Sequence, residues 1–173
     1  IRAGINTDNL IQDEKYFTTL AFVSLKENGE REFAFARKPG ADTNLCMKEI
    51  DPEILENTRV FHVGSLSLTD DPSRTATYEA INIARNSGAV ISYDPNYRAA
   101  LWSDPETAQL RMQSLIPYVD MMKISDEETS LLTPYQDPEE AIQYLLRQGV
   151  HLVAVTLGRD GALIGNENGI IKA

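Results

Sequence analysis

The segment Ser92-Tyr93-Asp94-Pro95-Asn96-Tyr97-Arg98 places an acid, an amide and a guanidinium within five residues. Arg98 suits a phosphate, or a phosphoryl group carrying developing charge, because its planar fork of donors matches such oxygens. Chemistry of that kind is mostly positioning and electrostatics. It needs a base near the accepting hydroxyl, donors for the group in transit and a held Mg²⁺. Asp94 is a poor candidate for the base. A proline follows it at a strand end, where an aspartate commonly organises the loop by accepting backbone N–H groups.

Two other segments carry double readings. Ser125-Asp126-Glu127-Glu128 has the spacing of a capping box, with Ser125 and Glu128 serving each other at a helix start. Thr156-Leu157-Gly158-Arg159-Asp160-Gly161 contains Asp-Gly, the signature of a tight turn, within a Gly-x-x-Gly that follows a buried strand. The Gly-x-x-x-x-Gly-Lys-Ser/Thr phosphate loop does not occur in the sequence. Neither does the Gly-x-Ser-x-Gly elbow of serine hydrolases. His62 and His151, with the single Cys46, make a poor zinc set.

The elements that must position these residues can be read from periodicity. Ala89-Val90-Ile91 leads into the Asp94 cluster as a buried strand ending in a sharp loop. Further strands are expected at Val60–Val63, Val119–Ile124, Leu152–Thr156 and Ala162–Ile164. Between them lie helix patterns. One starts at Asp70-Asp71-Pro72 with the stripe Ala76, Ala80, Ile83, Ala84 and stops near Gly88. Another starts with the box Ser103-x-x-Glu106, a short one covers Asp126 to Leu132, and a last one runs from Asp137 to about Gly149. Strands alternating with helices predict a mainly parallel sheet, whose final strands turn antiparallel for want of an intervening helix. Upstream, the runs 19–25 and 32–37 flank Asn28-Gly29 and predict a hairpin. Phe33, Phe35 and Arg37 share one of its faces, which could close over a ligand or simply pack on a neighbour.

Composition sets the outer bounds. The 173 residues include 26 acids against 16 bases, a net charge of −10, which disfavours nucleic acid or an anionic membrane as the main partner. One cysteine excludes an internal disulfide framework and suits a reducing, cytoplasmic setting. No apolar run approaches the ~18 residues of a membrane span.

Taken together, five blocks resemble the ribokinase (PfkB) family of sugar kinases, and its fructokinase branch most of all. They are residues 31–42, 61–68, 91–98 with Leu101-Trp102, 123–128 and 156–161, in the family's order. The resemblance implies a ribokinase-like α/β fold, a mainly parallel sheet flanked by helices with a small β lid. It implies that 1–173 is the central part of a single domain, with the lid hairpin at about 17–38 and the α/β portion at about 46–173. The family's N-terminal glycine motif and the C-terminal Gly-Ala-Gly-Asp that carries the catalytic base are absent from it. The implied activity is ATP- and Mg²⁺-dependent phosphorylation of fructose to fructose 6-phosphate. Arg98 would act in catalysis and on substrate. Phe35, Arg37, Gly64 and Asn96 would bind the sugar. Lys123, Glu128, Thr156, Gly158 and Gly161 would line the nucleotide site, with Glu128 reaching the metal through water. Ser125 stands where many members have Asn, so the resemblance does not carry a direct role over to it. Three alternatives remain: a family kinase for another sugar such as 2-keto-3-deoxygluconate, an inactive fructokinase-like scaffold, and a nucleoside kinase, the last disfavoured by the sugar-like blocks. A homodimer through the lid is an open expectation.

Overall fold

The computed structural model describes residues 4, 7, 9–27 and 31–173. Strands β1 (Leu20–Leu25) and β2 (Arg31–Ala36) pair antiparallel, from Leu20 opposite Ala36 to Leu25 opposite Arg31, as a separate two-stranded sheet. The expected Asn28-Gly29 turn lies outside the described residues. Period-two alternation puts Phe33 and Phe35 on one face, where their rings stack 6.1 Å apart with 9° between planes.

A short helix α1 (Pro52–Glu56) leads into the larger body. There β3 (Val60–Gly64), α2 (Ser73–Asn86), β4 (Val90–Asp94), α3 (Pro105–Gln113) and β5 (Met121–Ser125) alternate. They are followed by α4 (Thr129–Leu132), α5 (Pro138–Arg147), β6 (Leu152–Thr156), β7 (Ala162–Asn166) and β8 (Gly169–Lys172). The six strands order as β3-β4-β5-β6-β7-β8. Pairing is parallel from β3 to β6 and antiparallel from β6 to β8, so the helix-free end of the chain does turn the sheet edge.

Alternation along each strand builds the core. Ile91, Tyr93, Ile124, Val153 and Val155 are buried against Ile81 and Ala84 of α2, Ala108 and Met112 of α3, and Ile142 and Leu145 of α5. Each large aliphatic side chain so buried contributes roughly 1.5–3 kcal/mol relative to exposure. Gly165 has a steric reason: a Cβ there would lie 2.3 Å from Ile142 Cγ2, so its absence lets α5 close onto β7. The alternate strand positions Val60, Val90 and Met121 stay exposed.

Local differences from the sequence reading are small and have causes. Helix α3 is capped by Asp104, whose carboxylate accepts from Thr107 N at 2.7 Å, and not by Ser103. Pro105 at the first helical position makes its predecessor the extended cap residue, and Ser103 Oγ instead donates to Asp104. Helix α2 starts after Pro72, not with it, and buries Ile81 more completely than Ile83. Strand β5 begins at Met121, two residues later than expected, after a 3₁₀ turn through Ile116–Tyr118. The terminal β8 was not foreseen.

Candidate active site

Parallel strands β3 to β6 all end at one edge of the sheet, where ligands bind in open α/β folds. The Asp94–Arg98 loop sits there and is held from several sides. Asp94 Oδ1 accepts from Asn96 N at 3.1 Å, and Asp94 Oδ2 pairs with Lys123 Nζ at 3.2 Å. Pro95 O accepts from Ser65 N at 3.0 Å, tying the loop to the end of β3. Asn96 adopts φ 49°, a left-handed conformation that its short amide tolerates better than most side chains. That turn leaves Asn96 exposed above the strand end.

Glu128 locks the loop from below. It is 7% exposed. Its Oε1 accepts from Tyr97 N at 2.7 Å, and its Oε2 accepts from Ser125 N at 2.9 Å and Ser125 Oγ at 3.0 Å. The reciprocal Ser125–Glu128 arrangement is the expected capping box, but the third bond, to Tyr97, bridges β5 to the Arg98 loop. An ionised carboxylate has about four lone-pair sites, so one remains for a water here. Burial, with the Glu128 charge second, pushes the neighbouring Tyr93 phenol well above its ordinary pKa and keeps it neutral.

A cleft of about 220 Å³ opens at the ends of β3 and β4, lined by His62, Gly64, Leu66, Ser67, Asp94 and Asn96. At Gly64 a Cβ would lie 3.4 Å from Asp94 O, its partner on the adjacent strand end, in ordinary van der Waals contact. His62 Nδ1 lies 3.1 Å from Ser92 Oγ across the strands.

Arg37 is 6% exposed, and its contacts are to protein. Nε donates to Asp42 Oδ2 at 2.7 Å, Nη1 to Thr69 Oγ1 at 3.0 Å and Nη2 to Leu66 O at 2.7 Å. It therefore fastens the base of the hairpin to Leu66, which lines the cleft. Burial opposes the Asp42 charge, but hydrogen bonds from Arg37 and Thr19 and the Arg37 charge outweigh it. They hold the carboxyl below the usual carboxylate range.

Phe35 is half-buried on the hairpin beside Phe33. Lys123, expected at the nucleotide site, forms an ion pair with Asp94. The structure brings Gly64, Asp94, Asn96 and Lys123 to one edge, with Arg98 on the same loop and Glu128 beneath it. The segment Thr156–Gly161 lies at the end of β6 on that edge, two strands from β4. Thr156 Oγ1 donates to Ile124 O at 3.3 Å, and Gly158 and Gly161 take φ 58° and 95°. Space around a Cβ at Gly158 would be open. The sequence puts Phe33 on the hairpin face that could close over a ligand, without a partner; in the structure its ring lies 4.9 Å from Arg98 Cζ. Its alternation with Phe35 was visible, but its partner is remote in sequence.

The model of the pfkB family carbohydrate kinases matches residues 1–173, and the chain belongs to that family. Fructokinase-1 of Zea mays is 40% identical over 159 residues, covering 91% of this chain and 49% of its own length. A Vibrio cholerae fructokinase double mutant, solved with fructose, ADP and potassium, superposes with TM-score 0.84 at 35% identity, covering 93% of this chain and 51% of its own. A putative ribokinase II from E. coli, in complex with ATP and Mg²⁺, gives TM-score 0.80 at 31% identity, covering 92% of this chain and 50% of its own. The chain thus spans about half the length of the relatives it matches. No helix among the described residues is long and apolar enough to cross a membrane.

Proposed function

We propose that the full-length protein is a cytoplasmic fructokinase that transfers the γ-phosphoryl group of ATP to fructose with Mg²⁺. The observation that carries this reading is the gathering of Gly64, Asp94, Asn96 and Arg98 at the C-terminal edge of the sheet, beside a 220 Å³ cleft. That volume is below the ~300–1,000 Å³ of pockets for drug-sized ligands and suits a monosaccharide. The fructokinase relatives, one of them solved with fructose and ADP, support the sugar assignment.

In this reading the sugar lies against Gly64 and Asn96. Phe35 covers it from the lid, and Arg37 serves it by fixing Leu66. Arg98 meets the negative charge that develops during transfer. The exposed backbone at Gly158 accommodates nucleotide phosphates, since no Cβ stands in the way, and Gly161, packed against Ala173, shapes the turn beside it. Glu128 fits Mg²⁺ through its remaining lone pair and a water, which suits an ion that keeps several waters; the metal would neutralise phosphate charge there. Asp94 is engaged with Asn96 and Lys123, and we assign the general base to the remainder of the parent protein. Residues 1–173 form the central part of one ribokinase-like domain, with the hairpin as its lid. Leu20, Phe22, Val23 and Leu25 are 50–73% exposed along β1, which supports a homodimer formed lid to lid.

The test is purified full-length protein with Mg·ATP, assayed for ADP release on fructose, glucose, ribose and 2-keto-3-deoxygluconate. Preference for fructose is expected. Preference for another sugar contradicts the fructose assignment, and no turnover on any sugar favours the scaffold alternative.

A further inference from the structure

Arg98 lies on the loop at the sheet edge, and an aromatic ring packs beside its guanidinium. Among the described residues it has no carboxylate partner. Its Nη1 donates to Tyr97 O at 2.8 Å, and its Cζ lies 4.9 Å from the centroid of the Phe33 ring. Phe33 is itself backed by Phe35, stacked 6.1 Å away. A guanidinium within about 6 Å of a ring centroid is attracted by the π-face quadrupole. A carboxylate would also hold the guanidinium, but it would occupy the in-plane fork of donors and cancel the charge. An aromatic face takes neither the fork nor the charge.

We propose that Phe33 is a positioning residue for Arg98, an aromatic seat that orients the guanidinium while leaving its donor edge for the phosphoryl group. Phe33 belongs to β2, paired with Val23 of β1, so the seat travels with the lid hairpin. Arg98 belongs to the loop after β4 on the main sheet. The seat therefore makes the orientation of Arg98 depend on where the lid lies. Neither Tyr97 O alone nor the loop's other contacts would supply that dependence. This role rests on the kinase reading given above, whereas the contact itself does not.

The experiment uses the full-length protein in four forms: wild type, Phe33→Leu, Phe33→Tyr and Arg98→Ala, plus the double variant Phe33→Leu/Arg98→Ala. Leu keeps most of the apolar volume and removes the π face; Tyr keeps the face. The first readout is the ¹H shift of the Arg98 side-chain N–H, assigned by its absence in Arg98→Ala. A ring-current displacement is expected in wild type and Phe33→Tyr and is lost in Phe33→Leu. The second readout is kinetics. Phe33→Leu is expected to lower kcat roughly 3- to 30-fold, the range of one cation–π contact, with the fructose KM changed less than about twofold. Phe33→Tyr is expected to stay within about twofold of wild type, and the double variant to be no slower than Arg98→Ala alone.

An Arg98 resonance indifferent to Phe33→Leu overturns the seat, whatever the activity. So does a kcat loss that multiplies with that of Arg98→Ala, or a Phe33→Tyr variant as impaired as Phe33→Leu. A wild type that shows the displaced resonance yet phosphorylates no sugar contradicts the kinase reading, and with it the role but not the contact.

Discussion

The loops after β4 and β6 lie at the same edge of one sheet, yet they are held differently. The β4 loop is pinned by side chains: Asp94 to Asn96 and Lys123, Glu128 to Tyr97, Arg98 to Phe33 of the hairpin. The β6 loop is a backbone structure. Leu157 N donates to Gly161 O at 2.8 Å and Asp160 N to Leu157 O at 3.0 Å, and glycines occupy the positive-φ positions. A loop that must present specific donors to a small, directional ligand gains from side-chain fixation. A loop that must lie along phosphates gains from bare N–H groups and missing Cβ atoms. The contrast matches the two halves of the proposed reaction, sugar on one side and nucleotide on the other.

Substitutions should separate the two loops. The largest effect is expected at Arg98. In the full-length protein, on the proposed kinase function, Arg98→Ala should lower kcat and kcat/KM together by about 10²-fold or more, as for a lost transition-state contact. Arg98→Lys should recover only part, since an ammonium lacks the planar fork. Steady-state kinetics with fructose checks both.

Arg37→Ala should act on the sugar side in another way, raising the fructose KM with a smaller change in kcat. It also removes hydrogen bonds made by a charged group, typically worth about 1.5–3 kcal/mol each, so denaturant midpoints should fall. The stabilising contribution of this pair has a pH signature. The Asp42 carboxyl is held below its ordinary value of 3.8 in the folded protein. Its contribution is therefore fully present above that value and is lost as pH falls through the lower folded value. The stability gap between wild type and Asp42→Asn should be flat near neutrality and shrink below about pH 4.

Glu128→Ala should destabilise the protein by about 1–3 kcal/mol, because Tyr97 N and Ser125 N lose their acceptor in a buried site. A sugar-side strut predicts that the fructose KM rises too; a change confined to the ATP KM would show that the bridge to Tyr97 is idle. Gly161→Ala is a smaller test, on the other loop. With φ 95° and Ala173 O 2.2 Å from a would-be Cβ, it should cost roughly 1–2 kcal/mol and raise the ATP KM, leaving the fructose KM alone. The smallest effect is expected at Asp137, which accepts from Glu139 N and Glu140 N at the start of α5 and belongs to neither loop. Asp137→Ala should cost about 1 kcal/mol with unchanged kinetics.

How much of this was legible in the sequence follows the reach of the interactions. The strand before Asp94, the helix stop at Gly88, the Asp137 start and the Ser125–Glu128 box are written within a few residues, and periodicity and capping chemistry expose them. The cap of α3 slipped by one residue because Pro105 and Ser103 gave competing local signals. The commitments of Arg37 to Leu66 and Thr69, the Glu128–Tyr97 bridge and the Phe33–Arg98 contact join segments far apart in the chain. No local pattern encodes such contacts, and the family resemblance named the residues without naming their partners. Lys123 shows the same limit, since no pattern in its own block indicates the ion pair with Asp94.

The most direct test of the account is the fructose Kd of full-length Arg98→Ala against wild type, measured by titration calorimetry in the absence of nucleotide. If Arg98 acts on charge that develops only during transfer, the Kd should stay within about twofold while kcat falls ~10²-fold. A Kd weakened by the same factor as kcat/KM would contradict the account and make Arg98 a sugar-binding residue.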